Sequence, residues 1–280
     1  TEIRVVYDSR IHNILSKRKH SSLLSYHELM SFLGQKTRLS TADLCQAYHC
    51  MELDLKSSRL FTGYNSRRQK IRLTRAPMGW LNSNYYLSKL MSMLLSPPEL
   101  QNSTRSFADD LFCVTDKSQK HHIDTLMSLL DRMIAFKLKI KPKKLKILKP
   151  TCDILGLTWQ VGRLSIPKSR VLSFTKISEP KNLKEVRQFV YLANFYRNFI
   201  PEFSDIARPL HDLSKKHHKS FKFGEEQRKS FLALKQSMMS STSMYIPNPD
   251  KPFYVFADSS EHASAVVLMQ PDKNHDLKMV

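Results

Sequence analysis

Glycine is scarce in this sequence, with 6 among 280 residues, and cysteine scarcer, with 4. Cys45, Cys50, Cys113 and Cys152 form no C-x-x-C pair and are too few for a disulfide scaffold, so reduced thiols in an intracellular protein are expected. His121-His122 and His217-His218 have no Cys or His at zinc-finger spacing from them, which reads as solvated surface histidine. No apolar run approaches the length of a bilayer span, and no secretory h-region opens the chain. Internal repeats and low-complexity tracts are absent as well. Thr1 rather than Met stands first, so a piece of a longer product is expected.

Negative charge is also in short supply. Asp and Glu number 25 against 45 Lys and Arg, a formal net charge of +20 with a pI near 9.8. Such an excess repels itself unless an anionic partner is present, with nucleic acid the first candidate and an acidic membrane surface the second. The basic residues spread along the whole chain instead of gathering on one amphipathic helix, which disfavours the membrane. The apolar share of 41% is ordinary for a globular protein. The length allows one large or two to three small domains.

Patterning suggests a mixed body to about residue 160. Ile3 to Tyr7 and Gln69 to Arg75 read as strands, and Leu87, Leu90, Met91 and Leu94 mark one face of a helix stopped by Pro97-Pro98. Ser106 to Val114 is apolar except for Asp109-Asp110, which predicts a hairpin with the acidic pair at its tip. A second helix carries Ile123, Leu126, Leu130 and Met133, and a lysine-studded stretch then leads to a strand over Ile154 to Leu157. After Pro180 come helices. Asn182 with Glu185 resembles a capping box ahead of the stripe Val186, Phe189, Val190, Ala193 and Tyr196. Ile206, Leu210 and Leu213 suggest a second helix there, and Phe231, Leu234 and Met238 a third. Prolines 247, 249 and 252 lead into a strand from Phe253 to Ala257 that runs up to Asp258.

Mg²⁺ prefers hard carboxylate oxygens, so phosphoryl transfer with paired ions needs at least two acids brought together. Adjacent Asp residues on a tight hairpin point apart, and a partner must come from elsewhere. Asp43 is the obvious donor, because Leu39 to Leu44 looks like a strand ending in an acid. Taken singly, an Asp-Asp pair is an ordinary turn former and Asp43 an ordinary helix cap. Tyr48 alone reads equally as a core aromatic, and Gly79 as a turn glycine.

In order, the motifs resemble the reverse transcriptase of gypsy-type LTR retrotransposons and their retroviral relatives. Arg4-Val5-Val6-Tyr7-Asp8-Ser9-Arg10 with Asn13 is similar to the fingers signature, and Ser40-Thr41-Ala42-Asp43-Leu44 with Tyr48 to the first catalytic motif. Pro77-Met78-Gly79-Trp80 with Asn82-Ser83 resembles the second motif and Phe107-Ala108-Asp109-Asp110 the third. Lys144 sits where the family has a lysine, Leu155-Gly156 resembles the primer grip, and Leu183 through Leu213 the helical thumb. Phe253 to Ser260 resembles the opening of an RNase H domain, with Asp258 at its first metal-binding carboxylate.

The resemblance implies an α+β right-hand polymerase: partial fingers and an antiparallel palm over 1–160, a helical thumb and connection over 161–245, and the first strands of an RNase H-like α/β domain over 246–280. It implies two Mg²⁺ (or Mn²⁺) ions on Asp43 and Asp109, with Asp110 a lesser ligand and the Leu44 carbonyl contributing. Arg4 would hold the triphosphate of a dNTP, Tyr48 would lie under the sugar, and Met78, Gly79 and Lys144 would complete the nucleotide site. An RNA/DNA primer–template, the rest of a Pol polyprotein and no membrane are the implied partners. The expected location is intracellular, in a cytoplasmic virus-like particle or the nucleus. The remaining RNase H acids would lie beyond Val280, so that activity is not expected of this chain. Its basic stretches, Arg67 to Arg75 and Lys137 to Lys149, read partly as solvated faces and partly as phosphate contacts. Several positions depart from the family: Phe107 for Tyr, Asn84 for Pro, Leu87-Ser88 for Phe-Gln, and Ala263 and Ala265 for Gly. They raise a rival reading, a decayed or domesticated element that only binds nucleic acid.

Overall fold

The structure, a computed structural model, describes residues 7–21, 26–34, 36–116, 118–215, 221–240, 243–248, 250–259, 264–272 and 275–279. Arg4, most of the expected first strand, and His217-His218 lie outside the described residues. The chain forms two compact units, Thr1–Pro150 and Thr151–Val280.

The first unit opens with α1 (Arg10–Leu15), α2 (Tyr26–Leu33), β1 (Arg38–Asp43) and α3 (Leu55–Leu60). The hairpin β2 (Thr62–Tyr64) and β3 (Lys70–Arg72) precedes α4 (Ser83–Leu94) and α5 (Pro98–Gln101). Then follow β4 (Thr104–Phe107), β5 (Asp110–Thr115), α6 (Gln119–Ala135) and β6 (Lys146–Lys149). Four strands make an antiparallel sheet in the order β4-β5-β1-β6. Side chains alternate along a strand, so Ser40 and Ala42 of β1 share one face while Leu39, Thr41 and Asp43 share the other. Ala42 and Leu111 pack with Leu87, Met91 and Leu94 of α4 and with Leu129 and Met133 of α6. Asp43 therefore emerges on the face turned away from this core.

Two expectations shift in the first unit. Pro98 does not merely stop α4; it opens α5 at a position where its missing N–H costs nothing. The buried face of α6 is His122, Thr125, Leu126, Leu129 and Met133, while Ile123 is exposed. His122 is not a solvated histidine. Its ring is fully buried and joins Ser40 Oγ at 2.8 Å to Thr115 Oγ1 at 2.9 Å. Burial, then the Arg38 and His121 charges, hold its pKa below the usual value. Satisfying that imidazole between two strands sets the rotation of the helix, because an unpaired buried polar group would be costly.

The second unit begins with β7 (Thr151–Ile154), β8 (Leu157–Gln160) and β9 (Arg163–Ser165). Helices α7 (Lys168–Thr175), α8 (Leu183–Phe195), α9 (Phe203–Ser214) and α10 (Glu225–Ser240) follow, then β10 (Met244–Tyr245). β11 (Tyr254–Ser259), β12 (Ser264–Pro271) and β13 (Leu277–Met279) form a sheet of their own, and the other strands run β10-β9-β8-β7. Asn182 Oδ1 accepts from the Glu185 N–H at 3.0 Å, and the whole predicted stripe of α8 is buried, with Tyr196 just past its end. The Phe189 ring lies tilted against that of Phe231 of α10, with centroids 4.6 Å apart. The predicted strand Ile154 to Leu157 is instead a hairpin turn. Leu155 and Gly156 have φ of +46° and +81°, the two positive angles of a type I′ turn between β7 and β8. No described helix is long and apolar enough to cross a membrane.

Candidate active site

β1 and β5 pair antiparallel with Asp43 directly opposite Asp110. The Leu44 N–H donates to the Asp109 carbonyl at 2.9 Å. That bond makes Asp43 and Asp110 a non-hydrogen-bonded pair, the close kind whose Cα atoms lie about 4.5 Å apart with side chains on the same face. Phe107 and Asp110 close the β4–β5 hairpin over a loop of Ala108 and Asp109. Ala108 has φ +50°, a left-handed angle for which glycine is the easy residue. A non-glycine there is strained, and such strain clusters at functional sites.

Asp110 senses its acidic neighbours. Burial, then the charges of Asp109 and Asp43, raise the Asp110 pKa. Asp43 is only 8% exposed and needs partners to remain charged. Burial alone would raise its pKa, but ion pairs with Lys141 and Lys144 outweigh burial and lower it. Lys141 Nζ lies 2.8 Å from Oδ1, and Lys144 Nζ meets Oδ2. Backbone pairing delivers Lys141: its N–H donates to the Asp43 carbonyl at 2.9 Å, and Cys45 N–H to the Lys139 carbonyl at 2.6 Å. The donor set, Asp43 facing Asp110 across the strand pair with Asp109 next in the chain, offers the hard carboxylate oxygens that a divalent cation prefers. Among the described residues, no three Asp, Glu, His or Cys side chains already converge as a cation cage.

The other expected residues divide between the units. Tyr48 stands in the short turn Ala47–Cys50, and its hydroxyl donates to Asn84 Oδ1. Burial, then the Asp109 charge, raise its pKa, which ties the ring to the same cluster. Gly79 is exposed with φ +89°, and a Cβ there would meet nothing within 4 Å, so conformation and not space demands glycine. Asn13 clasps that loop, donating to the Gly79 carbonyl at 3.0 Å and accepting from the Leu81 N–H at 2.7 Å. Met78, half-buried, precedes it. Leu155 and Gly156 belong to the second unit, as does Asp258, which is exposed on β11 opposite Ala265. In the sequence Lys141 is hidden in its lysine-rich stretch, and Asn84 shows only as a departure from the resembled family.

Residues 3–159, more than half of the chain, match the family described as reverse transcriptase (RNA-dependent DNA polymerase). The chain belongs to the reverse transcriptase family. Residues 223–280 match the RNase H-like domain found in reverse transcriptase. A Drosophila melanogaster relative, the retrovirus-related Pol polyprotein from transposon 412, is 27% identical over 250 residues, 89% of this chain and 20% of its own. The Gag-Pol polyprotein of avian reticuloendotheliosis virus is 25% identical over 279 residues, 96% of this chain and 24% of its own. This reverse transcriptase chain thus spans about a sixth to a quarter of the length of the curated relatives it matches. Its fold matches part of the foamy viral protease-reverse transcriptase. The dRH form of that protein, solved with double-stranded DNA, superposes with TM-score 0.85 at 20% identity over 99% of this chain and 48% of the other. The same viral protein with an RNA/DNA hybrid gives 0.79 at 19% identity over 98% of this chain and 36% of the other.

Proposed function

We propose that the chain is part of an RNA-directed DNA polymerase of a retrotransposon or retrovirus-like element, extending a primer by nucleotidyl transfer. Fingers and palm would occupy 1–160, thumb and connection 161–245, and the opening of the RNase H-like domain 246–280. The opposition of Asp43 and Asp110, with Asp109 beside them, carries the reading. Two Mg²⁺ ions, or Mn²⁺, would supply charge neutralisation on the attacking and leaving oxygens. Asp43 and Asp109 would hold them, with the Leu44 carbonyl and Asp110 assisting. Arg4 and Lys144 would grip the triphosphate, Tyr48 would sit beneath the deoxyribose, and the Met78-Gly79 backbone would approach the incoming dNTP. Leu155-Gly156 would steady the primer end. Asp258 would serve as the first metal-binding carboxylate of the RNase H-like domain. An RNA/DNA primer–template and the remainder of a Pol polyprotein are the proposed partners, in an intracellular setting.

A second reading has one observation in its favour: both Asp43 oxygens face ammonium groups. A binding-only descendant could keep its groove with those ion pairs permanently closed. Primer extension on an RNA template with Mg²⁺ separates the two. Extension lost on Asp43→Asn supports the polymerase, whereas duplex binding without any extension supports the binder.

A further inference from the structure

Asn84 is the second residue of α4, exposed, in a helix where asparagine is a weak former and adds nothing to the core. Its side-chain oxygen accepts the hydrogen bond donated by the Tyr48 hydroxyl. The Tyr48 ring packs against the cluster that includes Ala42, Leu44 and Leu87. The side chain is therefore held twice, by packing against the core and by the bond from its hydroxyl to Asn84. A phenol secured only at its base is free to tilt about its side-chain torsions; a hydrogen bond at the tip removes that freedom.

A ring acting as a wall discriminates by where it stands. A ribose differs from a deoxyribose by one oxygen, so a shift of about 1 Å decides whether the extra hydroxyl fits, and misplacements of that size are felt strongly in active sites. On the proposed reading of Tyr48 beneath the sugar, we propose that Asn84 is a positioning residue for deoxynucleotide selectivity, holding the Tyr48 ring where a 2′-hydroxyl would have to go. Proline, usual at this position in the resembled family, has no polar side-chain atom and could not make the tie. The selectivity of this chain then rests on a pair, not on one residue.

The test measures retention of dCTP and CTP by the chain on a primer–template ending in a dideoxynucleotide, which needs no turnover, and then extension kinetics. Asn84→Ala and Tyr48→Phe should each lower the dCTP-over-CTP preference by about tenfold, near the upper worth of one neutral hydrogen bond. The double variant should be no worse than either single one, since both remove the same bond. Tyr48→Ala should lower the preference further. If Tyr48→Ala loses selectivity while Asn84→Ala and Tyr48→Phe keep it, or if the two single losses add, the role of Asn84 is overturned and the Tyr48 reading survives. If Tyr48→Ala also keeps full selectivity, or no nucleotide is retained at all, the reading of Tyr48 fails and takes this inference with it.

Discussion

Asp43 and Asp110 confront each other across the β1–β5 pair, near the end of a sheet whose opposite face is packed with apolar side chains. Two carboxylates in that register repel unless a cation intervenes, and the raised pKa of Asp110, from burial and then its acidic neighbours, is the electrostatic trace. Lys141 and Lys144 answer the charge of Asp43.

His122 should make stability pH-dependent. Its folded-state pKa is depressed, chiefly by burial, so the unfolded chain binds a proton that the folded one refuses. Stability from this group is complete above the unfolded pKa of about 6.5 and falls as pH drops through that value toward the folded pKa. Melting temperatures of the wild type should decline below that pH, and His122→Leu should flatten the decline. The same variant leaves Ser40 and Thr115 short of a partner, an expected cost of about 1–3 kcal/mol at neutral pH.

Leu155 occupies a left-handed position that asparagine tolerates better. Leu155→Asn should raise stability to chemical denaturation by up to about 1 kcal/mol, relieving part of the strain of a non-glycine residue there. If the turn steadies a primer, the same variant should weaken duplex affinity. Phe195 lies 3.2 Å from where a Gly156 Cβ would sit, and Tyr196 donates to the Gly156 carbonyl at 3.3 Å, so Gly156→Ala should damage both properties.

The β2–β3 hairpin carries Arg67, Arg68, Lys70 and Arg72, all exposed. Duplex affinity should fall steeply with salt, and loss of each phosphate contact should reduce the log–log slope by about 0.9. Arg72→Ala with an unchanged slope would mark that residue as merely solvated.

Periodic apolar patterns made much of the fold legible. The α8 stripe and its Asn182 cap needed no distant partner to be recognised, and the Asp109-Asp110 hairpin stood out because two charges interrupt an apolar run. His122 reads as a surface histidine because one of its two partners is remote: Ser40 is 82 positions away and only pairing of β5 with β1 brings it close. Leu155-Gly156 looked like strand because its leucines hide turn chemistry that Asn-Gly would have announced. Lys141 could not be told from the lysines around it, since what singles it out is a backbone bond to Asp43. Asn84 looked like a loss relative to the family until its contact with Tyr48 gave it a partner.

The central claim is that Asp43 and Asp110 contribute to one cation site. Mn²⁺ titration followed by electron paramagnetic resonance, on the wild type, Asp43→Asn and Asp110→Asn, tests it without requiring turnover. Saturable binding in the wild type that weakens in both variants is the predicted result. Equal Mn²⁺ binding in all three proteins would contradict it.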